Sequence, residues 1–275
     1  MQNDTKPTHT LPITDLGLTE NEVVDTYIYV LGRYLVIRQE HIDIAEEAVD
    51  YNVIKFNELG KAEFVNPNLD VAYLEAWFAV DEMTPVVLEV PKVEGRYYTA
   101  QIVDEWADIL HNINERMFPD RPHGRFALCL TGSNPTIPDG ALRIDLPSRK
   151  AKMLARVERK GDDQGAVSLQ HQFKLIKFGD PRIVPAVEIP MFSNKELITV
   201  DAFSQPMLAQ VMNSAPDKMK LAPGMQKQAR DIAVFVAKAG ANRAAIDAII
   251  KQKALPALVQ FIRSYGDKRG GWAAT

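Results

Sequence analysis

Between Val71 and Glu158 the chain breaks into short runs rich in β-branched and aromatic residues: "VAYLEAWFAV", "TPVVLEVP", "GRYYTAQIV", "RFALCLTG", "GALRIDLP" and "KAKMLARVER". Pro, Gly, Asn and Asp separate them, as turn residues separate strands. Strands this short and this closely spaced point to a sandwich of antiparallel sheets. "YYTAQIV" carries the two-residue period of a strand, with Tyr97, Thr99 and Gln101 on one side and Tyr98, Ala100 and Ile102 on the other.

Helices are expected on both sides of this region. "TENE" opens the first, with Thr19 as N-cap and Glu22 completing a capping box. Val23, Val24, Tyr27, Ile28, Leu31, Tyr34 and Leu35 follow at helical spacing. A second helical stretch is expected over Ile42 to Val49, and a brief one near residue 163. Past Ser193 the pattern stays helical up to a loop-like ending, "DKRGGWAAT". Gly240 is placed to stop one helix, Asn242 to cap the next and Pro256 to kink it. The expected domains are a flexible arm over 1–18, a helix-led β-sandwich over 19–192 and a C-terminal helical segment over 193–275 packed on it.

Composition excludes several classes. The chain has 275 residues, is 46% hydrophobic and 25% charged, and has a net charge of −4. Those are the proportions of a soluble globular protein with a large core. From Asp217 onward there are eleven Lys and Arg against four Asp and Glu, so this tail is basic and the rest acidic. The basic residues are dispersed with no interleaved aromatic run, so a tail packed on an acidic body is expected and a nucleic-acid partner is not. One cysteine, Cys129, rules out an internal disulfide and reads as a buried inert thiol. No signal peptide and no membrane span are visible, which points to the cytoplasm unless a leader has been removed.

Phosphate-loop, dinucleotide-binding, zinc-protease and serine-hydrolase signatures are absent, and no two histidines lie three or four apart on a helix. Two stretches stand out. In "NPNLDVAY" Asn68 and Asp70 suit a turn, with Tyr73 just beyond. "GRYYTAQIVDEW" offers Arg96, two phenols and, on one face of a strand, Asp104 and Trp106. Each stretch alone is explained by turn formation and core filling. Two aspartates and an asparagine can also hold a hard cation, but the EF-hand spacing is missing and no metal site is expected.

Taken together, "NPNLDVAYLEAW…PVVLEVP…GRYYTAQIVDEWADI" resembles the domain-of-unknown-function 1254 family, through Asn68, Asp70, Tyr73, Pro85, Val86, Leu88, Gly95, Arg96, Tyr97, Tyr98, Asp104 and Trp106. "LARVERKGDDQGAVSLQHQFKL" resembles the family's later strand, turn and short helix, placing Arg156, Asp163 and Gln170. Val71 and Ala107 stand where relatives often carry threonine. The resemblance implies an α+β chain: an immunoglobulin-like antiparallel β-sandwich flanked by N-terminal and C-terminal helices. In many relatives a jelly-roll domain of the unknown-function 1214 family follows a segment like "GGW", whereas this chain stops at "GGWAAT". A partner chain or a homo-oligomer is therefore expected.

The resemblance implies no reaction and no cofactor. The expected ligand site gathers Asn68, Tyr73, Arg96, Tyr98, Trp106 and Arg156 around Asp70 and Asp104. Three readings stay open: a binding module for a small polar or anionic molecule in a polar-aromatic cleft, an enzyme using Asp70 or Asp104 as general base, and an interaction subunit.

Overall fold

The computed structural model describes residues 13–46, 49–61 and 68–264. Residues 1–12 of the expected arm, the Asn66–Pro67 start of the first motif and the "GGWAAT" ending lie outside the described residues. Helix α1 (Glu20–Ile44) leads to β1 (Lys55–Phe56), β2 (Val71–Ala79), β3 (Val86–Val90), β4 (Tyr98–Val103), β5 (Ile109–Ile113), β6 (Gly124–Leu130), β7 (Leu142–Leu146) and β8 (Lys150–Glu158). Then come α2 (Asp163–Gln170), β9 (Lys174–Lys177), α3 (Gln205–Asn213), α4 (Ala222–Lys238), α5 (Gly240–Ile249) and α6 (Leu255–Ser264).

The chain divides into two compact units, Leu35–Glu188 and Met1–Tyr34 with Ile189–Thr275, and the first boundary falls inside α1. The unit Leu35–Glu188 holds two sheets, ordered β1-β2-β8-β4-β5 and β7-β6-β3-β9. Alternation decides their inner faces. Ala72, Leu74, Ala76 and Phe78 of β2, Ala100 and Ile102 of β4, and Ala151, Met153, Ala155 and Val157 of β8 share one core with Val86, Leu88, Phe126 and Leu128 of the other sheet. The chain is thus α+β with mostly antiparallel sheets. One ladder differs: β6 and β7 run parallel, Phe126 opposite Leu142. Residues 131–141 between them supply the crossover that a parallel pair requires.

The unit containing α3 to α6 is helical. Tyr27 and Tyr34 of α1 donate their hydroxyls to the carbonyls of Ile198 (2.7 Å) and Ala202 (3.0 Å), and Arg33 donates to Ser214 Oγ at 2.8 Å.

The helix starts are partly as expected. The Thr19–Glu22 box forms, with Thr19 N donating to Glu22 Oε2 at 2.7 Å and Glu22 N to Thr19 Oγ1 at 3.2 Å. Of the helical stretch expected over Ile42–Val49, the described residues show α1 continuing to Ile44 and then a turn, and residues 47 and 48 lie outside the described residues. Gly240 opens α5 rather than ending α4, and Ala239 takes the N-cap position assigned to Asn242. Asn242 instead donates to the Phe235 carbonyl at 2.9 Å, tying α5 back to α4. The helix widens into a π-turn over Ile250–Ala254 just before Pro256, which absorbs the missing proline N–H.

Phe78 is fully buried at the centre of the shared core. Phe78→Ala is expected to lower stability by about 3–5 kcal/mol, read from denaturant titration, while leaving the helical far-UV signal largely in place.

Candidate functional site

The residues singled out from sequence fall into two places. Asn68, Asp70 and Tyr73 form a turn: Asp70 N donates to Asn68 Oδ1 at 2.8 Å, and Asn68 N donates to the Tyr73 hydroxyl at 2.9 Å. Arg159, just past β8, fastens this turn by donating to the Leu69 carbonyl at 2.7 Å, and its backbone N donates to the Asp70 carbonyl at 2.8 Å. Arg96 binds the same region. Its Nη1 donates to the carbonyls of Glu158, Arg159 and Asp162 at 3.2–3.4 Å, and its Nη2 meets Asp162 Oδ2 at 2.9 Å. Asp162 also caps α2, accepting from Gly165 N at 2.9 Å. That amide and the Arg96 guanidinium hold the Asp162 carboxyl below its usual range. A Cβ at Gly165 would lie 1.9 Å from Asp162 Oδ2, so any side chain there would push the Asp162 carboxylate out of its present position. Arg96 is therefore a clamp on the β8–α2 turn.

A cleft of about 360 Å³ lies beside that clamp, lined by Gly95, Arg96, Tyr97, Asn114, Arg116 and Glu158 among others. Tyr98 also borders it, but its ring belongs to the sandwich core and its hydroxyl donates to the Pro122 carbonyl. Burial, with Glu115 nearby, pushes the Tyr98 phenol up to about 12.

Asp104 and Trp106 sit elsewhere. They do not share a strand face, because β4 ends at Val103 and the chain turns. Asp104 Oδ1 accepts the amides of Trp106 (2.8 Å) and Asp108 (3.0 Å), and Ala107 passes through φ 65° to close the turn. Val103 pairs with Lys152 and Val71 with Glu158, so the Asp104 and Asp70 turns lie at opposite ends of β8. Six residues of strand put them roughly 20 Å apart. The single cluster expected from sequence is two structural turns.

Between those ends, the outer face of the five-stranded sheet carries a charged layer that the sequence reading missed. Alternation sends Glu75 and Trp77 of β2, and Lys150, Lys152, Leu154 and Arg156 of β8, to the side opposite the core. The C-terminal half of α1 supplies Gln39, Glu40 and Asp43. Lys152 Nζ meets Asp43 Oδ2 at 2.6 Å and Glu75 Oε2 at 2.9 Å. Asp43 also accepts from the Trp77 indole (2.8 Å) and from Gln39 (2.7 Å), and Glu75 accepts from Asn57 at 2.9 Å. Beside this group Lys150 meets Glu40 at 2.6 Å and Glu105 at 3.6 Å, and the Tyr51 hydroxyl donates to Glu40 at 2.6 Å. Glu40, Glu105 and Lys150 are 1%, 2% and 4% exposed, burial that such charges sustain only when paired.

Lys152 borders a cavity of about 240 Å³, lined also by Gln39, Asp43, Lys55, Glu75 and Gln101. Burial alone pulls the lysine pKa down. The attraction of Glu75 and Asp43 and their hydrogen bonds outweigh it, and the value ends above the ordinary 10.5. Lys152 is an ammonium donor. Two signals in the sequence pointed here: a glutamate inside the apolar alternation of β2, and two lysines at alternate positions of β8. Their partners on α1, over a hundred residues away from Lys152, had no local signature.

Among the described residues no group of three or more His, Cys, Asp or Glu is placed to hold a metal ion, and no helix is long and apolar enough to cross a membrane. Cys129 is buried, and burial raises its thiol pKa.

Residues 51–177 match the family described as "Protein of unknown function (DUF1254)", and the chain resembles that family. No curated protein matches it. Among solved structures it is similar to the VPA0106 protein from Vibrio parahaemolyticus, with 17% identity and a TM-score of 0.60 over 91% of this chain. The match spans 61% of that protein's length, and at this identity the likeness shows the fold alone.

Removing the Lys152 ammonium leaves Asp43 and Glu75 buried together. Lys152→Met is expected to cost about 3–5 kcal/mol at neutral pH. Because the folded pKa lies above the unfolded one, the lysine contributes in full below 10.5 and loses its contribution as pH rises through the folded value. Denaturant titrations from neutral to strongly alkaline pH are expected to show the gap between wild type and variant narrowing only above 10.5.

Proposed function

We propose that the chain binds a small polar molecule in the cavity between the end of α1 and the outer face of the five-stranded sheet. The observation that carries this reading is Lys152: a lysine clamped by two carboxylates that still borders open volume. Gln39 and Gln101 add amide groups to the wall. Convergent polar groups in a concave site suit an oriented ligand, and about 240 Å³ suits a small one. A lysine held as ammonium donates hydrogen bonds and lacks the free amine needed for imine formation or general base work. This favours binding over covalent chemistry at Lys152. Asp104, spent on two backbone amides, is likewise better suited to its turn than to proton abstraction.

The test is a thermal-shift screen of polyols, amines and carboxylates against wild type and Gln101→Leu. Gln101 makes one long side-chain bond, to Asn112 at 3.2 Å, so the variant is expected to fold normally. One ligand class should stabilise wild type, by about 2.7 kcal/mol at a hundredfold excess over Kd, and the response should drop in the variant. No response from any class, or equal responses in both proteins, would sink the reading.

A second reading, association with another chain, has its own observation. Val259, Phe261 and Ile262 of α6 are 44%, 58% and 54% exposed, an apolar patch beyond what isolated surface residues make. Light scattering across a concentration series, with Phe261→Glu alongside, should show association that the variant loses.

A further inference from the structure

On the outer face of the five-stranded sheet, buried cations come with acids. Lys150 has Glu40 and Glu105, and Lys152 has Asp43 and Glu75. At the strand's far end Arg96 has Asp162 and Arg159 has Asp163. Arg156 breaks this pattern. It is half-buried on the same face, two residues beyond Leu154 on β8, and its Nε is buried without a hydrogen-bond partner.

Its neighbours explain why. Across the ladders Arg156 lies opposite Tyr73 on β2 and Thr99 on β4, neither of which carries charge. Thr99 Oγ1 accepts from Asn114 at 3.3 Å. Glu158, the next acid along the strand on this face, accepts from Tyr97 N at 2.8 Å. Arg156 packs on the Tyr73 ring, whose centroid is 5.8 Å from its Cζ. Tyr73 is itself held, its hydroxyl accepting from Asn68 N. Stacking on a ring engages the face of a guanidinium and leaves its N–H edge for an acceptor.

We infer that Arg156, braced on Tyr73, is an oxyanion-recognition site that pairs with a carboxylate or phosphate group. A planar fork of donors matches the two oxygens of such a group. An unpaired, half-buried cation is costly to keep in a folded state, and a partner that arrives with the ligand answers that cost. The site stands apart from the Lys152 cavity, whose lining does not include Arg156. It also holds whether or not that cavity binds a ligand.

The experiment is isothermal titration of the whole chain with acetate and, separately, inorganic phosphate at constant ionic strength set by chloride. Wild type, Arg156→Lys and Arg156→Met are compared. Wild type is expected to bind at least one probe. Arg156→Met should weaken that binding about 30-fold or more. Arg156→Lys, a point charge without the fork, should restore part of it. Whichever probe binds more tightly sets the oxyanion as carboxylate or phosphate. The thermal midpoint of unliganded Arg156→Met supplies a readout that does not need a ligand: it should equal or exceed that of wild type. Absence of binding by wild type to both probes, undiminished binding by Arg156→Met, or a clear fall in its unliganded midpoint would each overturn the inference. The last outcome would make the arginine a packing residue for Tyr73.

Discussion

The fold rests on β8. It pairs with β2 along one edge, from Lys150 to Glu158, and with β4 along the other, from Lys152 to Val157. Its sequence, alternating charged or large residues with Ala, Met, Ala and Val, gives it two incompatible faces. The small apolar set must face the second sheet, so the lysines and the arginine must face the other way. A slip of one residue would bury four charged side chains in the core, so the pairing register is strongly specified. Once it is set, Lys150 and Lys152 need acids above the sheet, and the end of α1 provides them. The charged layer is thus a consequence of the strand's alternation as much as a feature in its own right.

That dependence explains what the sequence disclosed. Strand positions were legible because β propensity and turn residues are local, and the runs quoted at the outset correspond to β2, β3, β4, β6, β7 and β8. The capping box at Thr19 was legible for the same reason. Five-residue β5 and four-residue β9 were not, since neither has enough alternation to stand out. The parallel β6–β7 ladder was hidden because it depends on where an eleven-residue connection leads, not on the composition of either strand. The site was less legible than the fold. Polar residues at strand ends attracted notice, yet Asn68, Asp104 and Arg96 spend their hydrogen bonds on nearby backbone. The groups that converge in space, Asp43, Glu75 and Lys152, are far apart in the chain and ordinary in their local context.

Turn-formers and ligand-binders draw on the same residue types because both offer oriented acceptors and donors. What separates them is whether those groups are already used. Arg96 has its donors matched by three carbonyls and a carboxylate, and a ligand there would have to displace structure. Lys152 is paired but borders volume, so a ligand can share its donors without breaking the clamp. Arg156 stacks on Tyr73 and leaves its buried Nε without a hydrogen-bond partner among the described residues. A buried donor left unsatisfied is costly to a folded chain. Two-sheet folds host many unrelated activities, so the fold alone cannot choose between binding and structure here. Unspent hydrogen-bonding capacity is the more discriminating criterion, and among the cations of this face it selects the middle of β8 over the turns at its ends.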